Sequence, residues 1–331
     1  MEFLYLPWLG TPLWMWLGFM GLVAALLALD LGVLHRNERE IGVRESLRLS
    51  AFYIALGLAF GGWVWWYMGS TAGMQYVTGF VIEKSLAMDN VFVIAMIFSY
   101  FGIPRLHQHR VLFWGILGVI VLRAIMIGFG AAAVQSYGWV LYVFAAFLIY
   151  TGIKMWREAD KEYDVANAPI LRWMRRRFNV TDELHGQSFW VRKADPKTGE
   201  LVWFMTPLFL ALVMVEFVDV VFAVDSVPAI FAITTDPFIV YTSNIFAILG
   251  LRALYFALAA MVDRFHYLKY ALAALLVFIG SKIFVADALG LAKVPPPVSL
   301  VITFAILGAG VGYSLWRTRG GATGEVGPLI S

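Results

Sequence analysis

The sequence predicts an all-α polytopic membrane protein of about nine transmembrane helices. Three observations carry that expectation. The 331 residues are 61% hydrophobic and 14% charged, with a mean hydropathy of +0.78, whereas a soluble domain holds about 25% charged residues. The apolar residues gather into runs of about 20, the length that crosses a bilayer as a helix. The basic residues between the runs alternate, dense on one side and nearly absent on the other, as positive-inside sorting requires.

The opening stretch "MEFLYLPWLGTPLW" has no basic n-region and no small-residue cleavage site, so it reads as mature sequence entering the first span. Spans are expected over 12–34, 51–68, 76–101, 110–132, 138–155, 206–233, 238–262, 268–288 and 298–317. Four Lys or Arg follow the first span, two follow the third, and the 156–205 segment with Lys154 at its edge carries ten. Two more lie between spans seven and eight, and two follow span nine. The alternate loops "GSTAGMQ", "SYG" and "TTDP" carry none, and the loop around "KVPPP" carries one. The split of 20 against one puts the N-terminus outside and the C-terminus in the cytoplasm of a bacterial inner membrane. Trp63, Trp65, Trp66 and Tyr67 fall where an outer aromatic belt belongs.

The chain therefore divides into helices one to five over 1–155, a cytoplasmic loop over 156–205, helices six to nine over 206–319, and a tail over 320–331 whose "GGATGEVGPLIS" reads as disordered. Within the loop, "APILRWMRRRF" reads as a basic amphipathic helix on the inner membrane surface. "SFWVRK" and "ELVWF" around "ADPKTG" read as a hairpin.

Charges remain inside the spans. The acids at depth are Glu83, Asp89, Glu216, Asp219 and Asp225, and the bases are Lys84, Arg123, Arg252 and Lys282. Each charge at a helix centre costs about 2.5–3.5 kcal/mol to insert. They must face the bundle interior and find partners. Lys84, Arg123 and Arg252 are expected to act as structural counter-charges, because a base among the ligands weakens a cation site.

The acids are also repeated. "FVIEKSLAMDNVFVIA" superposes on "EFVDVVFAVDSVPAIFA", Asp89 over Asp225 and Glu83 over Asp219, with Asn90 matching Ser226. Downstream, "WGILGVIVLRAIMI" matches "FAILGLRALYF" across a three-residue gap and aligns Arg123 with Arg252. The expected topology sends the two acidic spans in opposite directions, so the repeat is inverted, an architecture shared by many secondary transporters with midplane sites. Six residues turn a helix by about 240°, which leaves Glu83 and Asp89 about 120° apart around the axis. Pro228 removes a donor to the Val224 carbonyl, and a break beside Asp225 is expected there. Span three has no such proline.

Asn90, Ser226 and Asn244 of "YTSN" add hard oxygens to the five carboxylates. The five His (35, 107, 109, 185 and 266) fall in expected cytoplasmic loops, and Cys is absent. Such a ligand set suits Mg²⁺, Ca²⁺ or Mn²⁺ rather than zinc or copper. Met88 and Met96 read as core.

"EKSLAMDNVFV", "EFVDVVFAVDSVPAIFA" and "DPFIVYTSNIFAILGLRALYF" closely resemble the TerC family, and its Alx branch in particular. The resemblance runs over almost the whole chain, including the hairpin "SFWVRK". It implies a cytoplasmic-membrane protein of a family named for tellurium resistance, related to LysE-type transporters, with manganese export among its Alx-like members. It also implies transport roles for Glu83, Asp89, Glu216, Asp219 and Asp225.

The favoured reading is a carrier that exports Mn²⁺ or a similar divalent cation, with the proton as a possible coupling ion, no permanently bound cofactor, the lipid bilayer as partner, and no nucleic acid. Export of an amino acid or other small solute is a second reading, in which the acids meet a substrate amine. A membrane scaffold recruiting a metal-stress complex through 156–205 is a third, and predicts that the acids can be neutralised harmlessly. An intramembrane aspartyl hydrolase fits poorly, since neither "GxGD" nor "HExxH" occurs, and enzyme activity is not expected. Oligomeric state is not legible.

Overall fold

A computed structural model describes residues 2–32, 42–159, 164–194, 199–258, 267–290 and 294–318. The chain is an all-α polytopic membrane protein. The expected tail, His35, His266 and Arg264 lie outside the described residues.

The helices before the insertion are α1 (Leu13–Gly32), α2 (Val43–Met68), α3 (Ser70–Tyr100), α4 (Arg105–Ser136) and α5 (Val140–Arg157). After the insertion helix α6 (Pro169–Arg177) come α7 (Pro207–Phe231), α8 (Pro237–Leu249), α9 (Leu251–Leu258), α10 (Leu268–Ala288) and α11 (Pro296–Arg317). By length and apolarity alone, α2, α4, α5, α7, α10 and α11 qualify as spans, and α8 with α9 would add a seventh. The remaining expected spans are α1, whose apolar part is Leu13–Leu29, and α3, which carries Glu83, Lys84 and Asp89. Those charges dilute the hydropathy of a helix that at 31 residues is long enough to cross.

Packing follows the repeat. α3 lies against α8, α4 lies against α7, and α5 against α10 forms the most extensive pairing. That last contact rests on glycine. A Cβ on Gly152 would stand 2.8 Å from the Ala273 carbonyl oxygen, and one on Gly280 would stand 2.5 Å from that of Ala145. Small residues on both helices allow the backbones to touch, the usual basis of close helix contact in lipid. Outward faces are apolar: on α4, Val121, Ile125 and Phe129 are exposed while Val119, Arg123 and Ile127 are buried. Trp65, Trp66 and Tyr67 at the end of α2 are exposed as an interfacial belt requires, with Trp63 stacked on Tyr67.

Two structural differences from expectation bear on the site. α7 is not broken beside Asp225; it runs through Pro228 to Phe231. Pro228 sits within one turn of the helix end, so the missing N–H costs a single bond to Val224 and does not stop the helix. The break occurs elsewhere, between α8 and α9, which bend by 42° at Gly250. Gly250 is where the three-residue repeat gap falls, between "ILG" and the aligned arginine.

The insertion caps one end of the bundle. β3 (Trp190–Ala194) pairs antiparallel with β4 (Leu201–Met205), Trp190 opposite Met205. In α6, Leu171 and Met174 are buried with Val165, Ala168, Met205 and residues of α3, α7 and α9. Its apolar side is therefore turned into the protein, not laid on lipid as its pattern suggested. Arg172, Arg175, Arg176 and Arg177 remain exposed. Outside the spans, the Lys193 ammonium hydrogen-bonds Glu183 at 2.6 Å and holds its carboxyl below the usual range. A short pairing of β1 (Pro7–Trp8) with β2 (Thr11–Pro12) precedes α1.

Candidate cation site

The centre of the site is a cation supplied by the chain itself. Arg123 of α4 is 1% exposed. Its Nη1 donates to the Glu83 carboxylate of α3, to Ser226 Oγ of α7 at 3.1 Å and to Asn244 Oδ1 of α8 at 2.9 Å. Nε and Nη2 reach the two oxygens of Asp219 at 3.4 and 3.3 Å. Asn90 Nδ2 donates to Asp219 Oδ1 at 3.2 Å. Four helices thus meet on one guanidinium, and the planar fork of arginine suits two carboxylates at once.

Asp89 and Asp225 stand to one side. With Glu83, Asn90, Arg123, Ser226, Leu86, Met155 and Phe222 they line a cavity of about 10 Å³, near the smallest that holds one water. Asp225 takes a hydrogen bond from Thr151 and faces Lys154, both on α5, while Asp89 faces Lys269 at the start of α10. A second small cavity lies between Asn90, Asp219 and Arg252, with Gly115 and Val119 of α4 in its wall.

All eight predicted ligands therefore lie on α3, α7 and α8, and seven are brought to one locus. It is Asn90, the neighbour of Asp89 in sequence, that lies beside Asp219. Among the described residues no three acidic or histidine side chains form a cluster able to hold a metal ion. The oxygens are held by Arg123 instead.

The eighth, Glu216, sits one turn before Asp219. Its carboxylate rests against Gly118 of α4, where any Cβ would collide with it. Its Oε2 is buried without a partner among the described residues.

Of the expected counter-charges, Arg123 pairs with acids. Lys84 does not: its Nζ donates to the Ala247 carbonyl at 3.0 Å. That carbonyl is in the last turn of α8, where the break at Gly250 interrupts the helical ladder. Gly250 leaves the room for it, since a Cβ there would lie 2.9 Å from Lys84 Nζ and from Tyr53 Cβ. Lys84 is a helix cap, a role that its neighbours in sequence do not announce.

The family comparison agrees with these motifs. The model of the integral membrane protein TerC family matches residues 68–322. The chain belongs to the TerC family. This TerC protein is 47% identical over 319 residues to an uncharacterized membrane protein of Myxococcus xanthus, covering 96% of this chain and 97% of that one. It is 46% identical over 327 residues to the "putative membrane-bound redox modulator Alx" of Escherichia coli K12, covering 94% and 99%. A Rickettsia bellii membrane protein is 44% identical over 302 residues, covering 91% and 97%. No solved structure matches.

The TerC bundle also holds a larger cavity, of about 550 Å³. Its walls include Thr71, Gln75 and Thr78 of α3, Tyr142 of α5, and Lys282 and Asp287 of α10. These positions flank the loops poor in Lys and Arg. The opposite end is filled by Ile97, Phe98, Leu208, Leu210, Met174 and their neighbours.

Proposed function

We propose that this TerC protein exports a divalent cation, Mn²⁺ first among candidates, from the cytoplasm across the inner membrane. The observation that carries the reading is the convergence of Glu83, Asp89, Asn90, Asp219, Asp225, Ser226 and Asn244 within one bundle interior. All seven offer oxygen, the ligand type that hard divalent ions take. Charged groups at depth are costly and mark ion pathways when they cluster. The cavity at the Lys/Arg-poor end is the exit vestibule, and the packed end beneath the insertion is the closed cytoplasmic gate. Alternation between this arrangement and its converse would move the ion. A proton on the acids left without metal would make the return step neutral. The test is the manganese content of cells with and without the protein under manganese load; the expected result is lower content with it, and equal content rejects the reading.

The printed name of the Escherichia coli relative favours a redox role as a second reading. The 331 residues include no Cys, so such a role in this chain would pass through metal handling and not through a thiol.

A further inference from the structure

Four of the converged oxygen donors are already engaged in this structure, by a cation tethered to α4. Arg123 also engages the neutral oxygens of Ser226 and Asn244, so it holds four of the seven converged oxygen donors rather than one salt bridge. A third acid, Glu216 of α7, lies against α4 on the side from which Arg123 rises. Side chains on a helix lean toward the preceding turn; Val119 lies there under Arg123, and the Glu216 carboxylate is pressed against its neighbour Gly118. One Glu216 oxygen is buried there with no partner among the described residues. Glu83, Asp219 and Glu216 ionised, with Arg123, sum to −2, the complement of one divalent ion.

We propose that Arg123 is a tethered competitor for the exported cation, and that Glu216 is the acid it moves to when the cation enters. The proposal rests on the cation-export reading. With no ion bound, the guanidinium pairs with both Glu83 and Asp219, which leaves −1 there in place of the −2 of two bare carboxylates. When the ion arrives, Arg123 swings down α4 to Glu216, and the ion takes Glu83, Asp219, Ser226 and Asn244. When the ion leaves, the guanidinium returns and prevents its rebinding. A carrier built this way resets itself.

The test measures Mn²⁺ binding to the purified full chain in nanodiscs, for the wild type, Arg123→Gln, Glu216→Gln and the double variant. Removing the competitor in Arg123→Gln should tighten Mn²⁺ binding about tenfold or more, given the coupling of close charges, and should stop turnover. Glu216→Gln leaves Arg123 no alternative acid and should weaken binding by a similar factor. In the Arg123→Gln background the same Glu216→Gln change should do little, because its effect runs through Arg123. Arg123→Lys keeps the charge but loses the fork; it should shift affinity in the direction of Arg123→Gln by a smaller factor, and it carries the test should Arg123→Gln not accumulate. Arg123→Gln or Arg123→Lys binding no tighter than wild type overturns the proposal. So does a Glu216→Gln loss undiminished in the arginine-variant background, which would make Glu216 an ordinary ligand. Absence of Mn²⁺ binding in wild type and every variant overturns the export reading and this proposal with it.

Discussion

Asp89 and Asp225 differ from Glu83 and Asp219 in what holds them. The latter pair shares the Arg123 guanidinium, and neutralising either leaves that cation short of a partner inside the bundle. Breaking a buried pair costs about 3–5 kcal/mol. Glu83→Gln and Asp219→Asn should therefore lower the amount of folded protein in the membrane, read by thermal melting of the solubilised chain. Asp89→Asn and Asp225→Asn remove charges that border a small cavity and face lysines at helix ends, Lys269 and Lys154, in place of the buried guanidinium, so abundance should hold or rise while cation export is lost. Equal abundance across all four variants would show that Arg123 does not depend on its two acids. The acids, amide and hydroxyl were legible in the repeat, because burying charge in lipid is expensive enough to stand out in any apolar run. The centrality of Arg123 was not. Nothing in the spacing of 83, 123 and 219 says that they meet; only the packing of α3, α4 and α7 does.

At the scale of elements, the informative glycine is Gly250. It admits Lys84 and Tyr53 at the break between α8 and α9, and Gly250→Val would push both away. Overpacking of this kind costs about 1–3 kcal/mol, so the variant should melt earlier than wild type, and an unchanged melting point would remove the break from the architecture. The break expected at Pro228 did not occur because proline near a helix end removes only one bond. The sequence offered a cue to the true break in the three-residue gap between "ILG" and Arg252, a deletion too short to keep the helix in phase. The α5–α10 contact makes a similar prediction. Gly280→Leu would drive a side chain into the Ala145 carbonyl and Ile149; less folded protein is expected, measured by membrane abundance.

For the whole molecule, the membrane class was legible from composition and the alternating loops, which depend on the bilayer and not on tertiary contacts. The number of spans was less so, since α3 hides behind its charges and α8–α9 divides. The destination of α6 was hidden as well: its amphipathic pattern reads the same whether the apolar side meets lipid or protein. Orientation can be tested directly, because the native chain has no Cys. Asp236 is a poor labelling site, as its side chain caps α8 by accepting from Phe238 and Ile239. Tyr137→Cys and Arg176→Cys place a thiol at exposed positions on the two loop sets. An impermeant reagent should label the first in intact cells and spare the second; the reverse would invert the topology.

The proposed cation path runs through the acids at and beside Arg123. The most direct measurement is Mn²⁺ flux into liposomes reconstituted with the purified wild-type chain or with Asp225→Asn, both checked for the same melting behaviour. Flux well above protein-free liposomes is expected for the wild type, and background flux for Asp225→Asn. Wild-type flux at background, or Asp225→Asn flux equal to wild type, would contradict it.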